Sequence, residues 1–99
     1  MANLELNYEG FEKYLVKTVH QNILYRTEPG IHYKFQFENG FGASVVKNLY
    51  SYGYNKDLWE LAVYDRDGEL CYSTPITDDV LGYLTDEEVR ETLRQIQEL

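Results

Sequence analysis

Between Ile31 and Phe37 apolar and polar residues alternate without a break: Ile31, Tyr33, Phe35 and Phe37 fall on one side, His32, Lys34 and Gln36 on the other. This period belongs to an extended strand with one face against a core, because successive side chains leave a strand on opposite sides. The run leads into Asn39-Gly40, a hairpin signal, and side chains alone discriminate the possible registers. A two-residue turn would pair Phe37 with Gly42 and Phe35 with Ser44, sending Phe41, Ala43 and Val45 to the polar face. A three-residue loop of Glu38, Asn39 and Gly40 pairs Phe37 with Phe41, Phe35 with Ala43 and Tyr33 with Val45, which keeps these apolar residues together. The second register is expected, with Gly40 left-handed.

After a connection from Asn48 to Asp57 the alternation returns, with Trp59, Leu61 and Val63 set against Glu60, Ala62 and Tyr64. Asp65-Arg66-Asp67-Gly68 reads as a four-residue loop that pairs Val63 with Leu70 and Leu61 with Tyr72, and Pro75, which lacks an N–H, ends that strand. Upstream, Phe11, Tyr14, Leu15, Thr18, Val19, Asn22 and Ile23 recur at helical spacing. They predict a helix from Tyr8 to Asn22, with Asn7 as N-cap and Glu9 in the first turn. Ile23 to Thr27 suits a short edge strand or a frayed helix end, before a Glu28-Pro29-Gly30 turn. Thr77-Asp78-Asp79 reads as the cap and first turn of a short helix through Leu81, stopped at Gly82. Thr85 and Glu88 form a capping box ahead of a last helix with the stripe Val89, Leu93 and Ile96.

The expected fold is a single α+β domain over residues 1–99. It has two layers: an N-terminal helix, a mostly antiparallel sheet of three or four strands, and C-terminal helices. One sheet face, carrying Tyr33, Phe35, Phe37, Phe41, Val45, Trp59, Leu61, Val63, Leu70 and Tyr72, is covered by both amphipathic helices.

Charge is distributed unevenly along this frame. Residues 1–50 hold five acids and five bases; residues 51–99 hold twelve acids against Lys56, Arg66, Arg90 and Arg94, which accounts for the net −8. Affinity for phosphate polymers and anionic membranes rests on clustered Lys and Arg, so direct nucleic-acid or membrane-surface binding is not expected. The 43% hydrophobic content suits a packed domain rather than a disordered one. Ten of the aromatic residues are Tyr, whose hydroxyls favour the rim of a core. Cys71 stands alone, so no intrachain disulfide is available, which fits a reducing compartment. Met1 to Gly10 lacks a signal-peptide pattern, and no run of apolar residues is long enough to span a bilayer. A soluble, cytoplasmic protein is expected.

Catalytic patterns are missing. His20, His32 and Cys71 have no sequence partner in a nucleophile–base arrangement, and they read as surface or rim residues. Asp65, Asp67, Gly68 and Glu69 evoke a calcium loop, but counting from Asp65 puts Gly68 at position 4 and Ile76 at position 12, where an EF-hand needs Gly at 6 and Glu at 12. A hairpin turn accounts for them. No phosphate-loop, dinucleotide, paired-cysteine or zinc-protease motif occurs, so no catalytic residue, metal or cofactor is assigned.

Two constellations remain as candidate partner-binding surfaces. Tyr50, Tyr52 and Tyr54 would share one face if the segment is extended. They either lid the core or anchor a partner, since Tyr is enriched at interface hot spots. Asp78, Asp79, Asp86, Glu87, Glu88 and Glu91 cluster at two helix starts, where capping and dipole effects favour carboxylates. The sharper reading makes Asp78, Asp79, Asp86, Glu87 and Glu91 a negative face for a basic partner.

The stretches Asn39-Gly-Phe-Gly-Ala-Ser-Val-Val46, Tyr52-Gly53, Asp57-Leu-Trp-Glu-Leu-Ala-Val63 and Thr74-Pro-Ile-Thr-Asp-Asp-Val-Leu-Gly-Tyr-Leu84 resemble a family of small proteins encoded by tailed bacteriophages. The resemblance covers residues 31 to 98 and brings no catalytic residues to transfer. It implies a protein made in the host bacterial cytoplasm. Joined to the missing catalytic patterns, it gives a leading expectation of a non-enzymatic module that binds and modulates a host protein with a basic surface, such as a defence or nucleic-acid-handling enzyme. The alternative is a homo-oligomeric structural or assembly accessory protein.

Overall fold

The computed structural model describes residues 4–22, 29–48, 50–70 and 80–99. Five strands, Leu15–Asn22 (β1), Pro29–Gln36 (β2), Gly42–Lys47 (β3), Trp59–Tyr64 (β4) and Leu81–Leu84 (β5), form one sheet in chain order with every neighbouring pair antiparallel. Among the described residues a single α-helix, Asp86–Gln97 (α1), follows.

The β2–β3 hairpin has the register its side chains require. Tyr33 lies opposite Val45 and Phe35 opposite Ala43. The Phe37 amide donates to Phe41 O at 2.8 Å, and Gly40 closes the three-residue loop at φ 93°. Trp59, Leu61 and Val63 point inward from β4 and are almost wholly buried, as their alternation predicts.

The N-terminal helix does not exist. Residues 15–22 form edge strand β1, and the helical signal shrinks to one 3₁₀ turn at Glu12–Tyr14. The misleading period has an identifiable origin. A β-bulge between Leu15 and Lys17 inserts Val16, so the partners of Phe35 and Lys34 are Leu15 and Lys17, two residues apart instead of one. That extra residue breaks the alternation and leaves apolar residues three and four apart. Val16, Thr18 and Val19 are also β-branched and pack well on a pleated surface.

Among the described residues the sheet therefore has five strands rather than three or four, and one helix covers it rather than two. The short helix expected through Leu81 is overturned where it can be seen, because Leu81–Leu84 pairs with β4; Thr77, Asp78 and Asp79 lie outside the described residues, as do Ile23 to Thr27. The turn after β4 also differs from expectation. The Asp65 carboxylate accepts from the amides of Asp67 and Glu69, at 2.9 and 3.0 Å, tightening the loop to Arg66, Asp67 and Gly68. Asp65 N then pairs with Glu69 O, and Tyr64 lies opposite Leu70. This one-residue slip turns Leu70 to the outer face, where it is 41% exposed. The expected partner of Leu61, Tyr72, and Pro75 lie outside the described residues.

With no first helix, an irregular segment covers the sheet beside α1. Leu6 and Tyr14 are buried, while Leu4, Tyr8 and Phe11 pack against the same cluster as Val89, Leu93 and Ile96. Tyr33 holds this segment from below: its hydroxyl donates to Leu4 O at 2.9 Å and accepts from the Leu6 amide at 3.4 Å. From above, Asp86 Oδ2 accepts from the Asn7 amide at 3.1 Å, and Arg90 donates to Asn7 O at 2.8 Å. Asn7 is thus a clamp point on α1 rather than an N-cap. The capping box at Thr85 and Glu88 forms as the sequence predicts.

Candidate functional site

The tyrosine segment is a series of tight turns instead of an extended run. Asn48 organises it: its side-chain oxygen accepts from the Tyr50 amide at 2.9 Å, and its carbonyl accepts from the Ser51 amide and hydroxyl at 3.0 and 2.9 Å. A 3₁₀ turn follows at Tyr54–Lys56. The three side chains are consequently unequally exposed. Tyr50 and Tyr52 are 70% and 60% exposed, whereas Tyr54 is half-buried.

Tyr83 on β5 joins them, and sequence reasoning missed it. It is 51% exposed and sits at φ 59°, a left-handed conformation costly for a residue with a Cβ. The neighbouring backbones are pressed together. A Cβ on Gly53 would lie 3.0 Å from Tyr83 N and Cα, and one on Gly82 would lie 2.6 Å from Tyr52 Cβ. The Tyr83 amide donates to Tyr52 O at 3.4 Å. Gly53 and Gly82 are the sequence trace of this approach, although Gly82 alone reads equally as a helix stop.

Beneath this loop lies a second missed residue, Lys47, which is 2% exposed. Its ammonium donates to Asp57 O and Oδ1, both at 3.0 Å, and sits 4.3 Å from the centroid of the Trp59 ring. Asp57 is itself left-handed at φ 60°. The parity Tyr33, Val45, Lys47 already points this side chain inward once the hairpin register is known.

The predicted acidic face is divided. Asp78 and Asp79 lie outside the described residues. Asp86 is turned inward: Oδ1 accepts from Trp59 Nε1 at 2.7 Å while Oδ2 holds Asn7. Glu87 is exposed and, with Glu9, Phe11, Arg90 and Glu91, borders a shallow cleft between the N-terminal segment and α1. Glu91 is ion-paired with Arg94, which also reaches Glu98 at 2.7 Å. Hydrogen bonds from the Arg94 guanidinium hold the Glu91 carboxyl below the usual carboxylate range.

The outer sheet face, opposite α1, carries a third group. Lys17 of β1 lies directly opposite Lys34 of β2, and Lys34 lies opposite Ser44 of β3. The Ser44 hydroxyl and His32 Nε2 are 2.5 Å apart. Burial lowers the His32 pKa from its ordinary 6.5, and the nearby Lys34 and Lys17 ammonium groups lower it further. The signal for this pair was present in the hairpin register, which sets Ser44 diagonal to His32.

Among the described residues no group of three His, Cys, Asp or Glu side chains is arranged to hold a metal ion, and no helix is long and apolar enough to cross a membrane. Compared with models of protein families, with curated proteins and with solved structures, the chain matches none.

Proposed function

We propose that this chain is a non-enzymatic interaction module that binds and modulates another protein through Tyr50, Tyr52 and Tyr83. The observation that carries this reading is Tyr83, held left-handed and half-exposed by close backbone contact with the Tyr52–Gly53 turn. Strain of this kind persists where surrounding structure enforces it, and it is concentrated at functional sites. Rigid, amphipathic tyrosines on a tight scaffold supply contact area at low entropic cost. The phage resemblance supplies the setting of a bacterial host protein in the cytoplasm, and the surplus of acids in residues 51–99 favours a basic partner surface, such as that of a nucleic-acid-handling enzyme.

Geometry at Ser44 weighs against a hydrolase. Ser44 is buried in a central strand, where neighbouring amides belong to the ladder and are not free to stabilise an oxyanion. Among the described residues no carboxylate hydrogen-bonds His32. The homo-oligomer reading is weakened at edge strand β1, where a bulge and the charge of Lys17 oppose edge-to-edge pairing.

Affinity purification from expressing bacteria, run in parallel on the parent, Tyr52→Ser and Tyr83→Gly, tests the proposal. A stoichiometric partner retained by the parent and lost by both variants supports it; self-association alone in all three would replace it with the homo-oligomer. Tyr83→Gly should leave stability equal to the parent or about 1 kcal/mol higher, because Gly accepts the left-handed backbone. Charge reversal is best placed at Glu87, since changing Glu91 would also break its ion pair with Arg94. Glu87→Lys should flatten the salt dependence of association.

A further inference from the structure

The outer face of the sheet concentrates positive charge in an acidic molecule. Lys17 and Lys34 are directly opposed across β1 and β2, a placement that brings their Cβ atoms to about 5 Å and that disfavours like charges. Among the described residues neither lysine has a carboxylate in salt-bridge range. Glu60 of β4 is the carboxylate of this face in the row of His32, with Val46 between them, and its Oε1 accepts from the Tyr52 amide at 3.4 Å. Two lysines thus rise from directly opposed backbone positions, and among the described residues no carboxylate pairs with either.

His32 and Ser44 complete the group. Neutral imidazole and a hydroxyl own two polar hydrogens between them, and their mutual bond uses one. Whichever tautomer forms, the other hydrogen, on Nδ1 or on Ser44 Oγ, is left to donate. Protonating His32 would add a third cation at the same place.

Next to the charges lies a shallow pocket of about 150 Å³, bordered by Val16, Lys34, Gln36, Gly42 and Tyr64. Gly42 puts no side chain into it, and a Cβ there would come within 2.7 Å of Phe35 O. The bulge at Val16 and the ring of Tyr64, over which Lys34 Nζ sits 5.8 Å from the centroid, form its walls.

We propose that Lys17, Lys34 and His32 form a binding site for a phosphate dianion, with Ser44 fixing the imidazole and the adjoining pocket available to an organic group carried on that phosphate. A dianion would pair with both opposed lysines at once and accept the remaining hydrogen of the His32–Ser44 pair, from the imidazole or from the hydroxyl. Free phosphate and a phosphate monoester share this chemistry and differ in use of the Tyr64 pocket. The site lies on the sheet face away from α1 and is independent of Tyr50, Tyr52 and Tyr83.

The test is a titration followed by NMR of the His32 ring, with inorganic phosphate, phenyl phosphate and sodium chloride at matched ionic strength. Both phosphates should shift the His32 resonances saturably and raise its pKa, while chloride does neither. Equal affinities assign the site to free phosphate; phenyl phosphate binding about three to ten times more tightly assigns it to a monoester that uses the Tyr64 ring. Lys17→Gln, on an exposed edge-strand position, should weaken both about tenfold, and without phosphate it should melt no lower than the parent because the like-charge pair is gone. Lys34→Gln provides a second, independent reading of the same loss. Chloride reproducing the phosphate shifts, or both Gln variants titrating like the parent, would overturn the proposal.

Discussion

Trp59 shows how much one side chain can carry here. Its ring packs edge-on to Tyr33 at 5.8 Å, accepts the Lys47 ammonium on one face, and donates from Nε1 to Asp86. Trp59→Ala should cost about 3–5 kcal/mol, because it empties the centre of the core and takes one partner from each of two charged groups. A denaturant midpoint close to the parent's would contradict this packing. Lys47 and Asp57 should behave asymmetrically. Asp57→Ala removes a carboxylate from a buried ammonium and should cost about 1–3 kcal/mol, whereas Lys47→Met keeps the volume without the charge and should cost less. At His32 the sign follows from the direction of its shift. A folded-state pKa below 6.5 means the unfolded chain takes up its proton first, so this contribution is complete above pH 6.5 and is lost as pH falls below it. Parallel denaturation of the parent and His32→Gln from about pH 7.5 to 5.5 should show the smaller loss in the variant.

At the scale of elements, the β2–β3 hairpin was legible and β1 was not, for one reason seen from two sides. In the hairpin, turn length and alternation agree, and a single register satisfies both. In β1 the bulge at Val16 offsets the alternation, and residues that share a strand mimic a helical stripe. Asp65 similarly shortened the next turn through its own side-chain hydrogen bonds. Of the candidate site, Tyr50 and Tyr52 could be found from sequence. Tyr83 could not, since a left-handed tyrosine is imposed by packing against Gly53, and its one adjacent trace, Gly82, reads equally as a helix stop. The hairpin loop also stabilises α1. The Asn39 side-chain Nδ2 donates to the carbonyls of Ile96, Gln97 and Leu99 at 2.8, 3.1 and 3.3 Å, capping the helix end. Asn39→Ala should cost about 1–2 kcal/mol and fray the last turn of α1 first, which amide hydrogen exchange at residues 95–98 would register.

Across the whole molecule, one sheet is covered by two things of unequal strength: a capped helix, and an irregular segment that owes its place to Tyr33, Asp86 and Arg90. Asp86→Ala releases both the Asn7 amide and Trp59 Nε1. It should raise exchange at Leu6 and Asn7 well before the amides of β3 and β4 respond; uniform loss across the sheet would show that the segment and sheet open as one unit. This clamp also orders events in time. A chain emerging from the ribosome presents residues 4–14 first, yet the carboxylate and guanidinium that grip Asn7 arrive some eighty residues later. Until residues 86–90 have been synthesised and the helix is free to fold, the apolar face of β2 and β3 stays open to water and to other chains, so the interval between making the hairpin and closing its cover is when this protein is most exposed to misassembly.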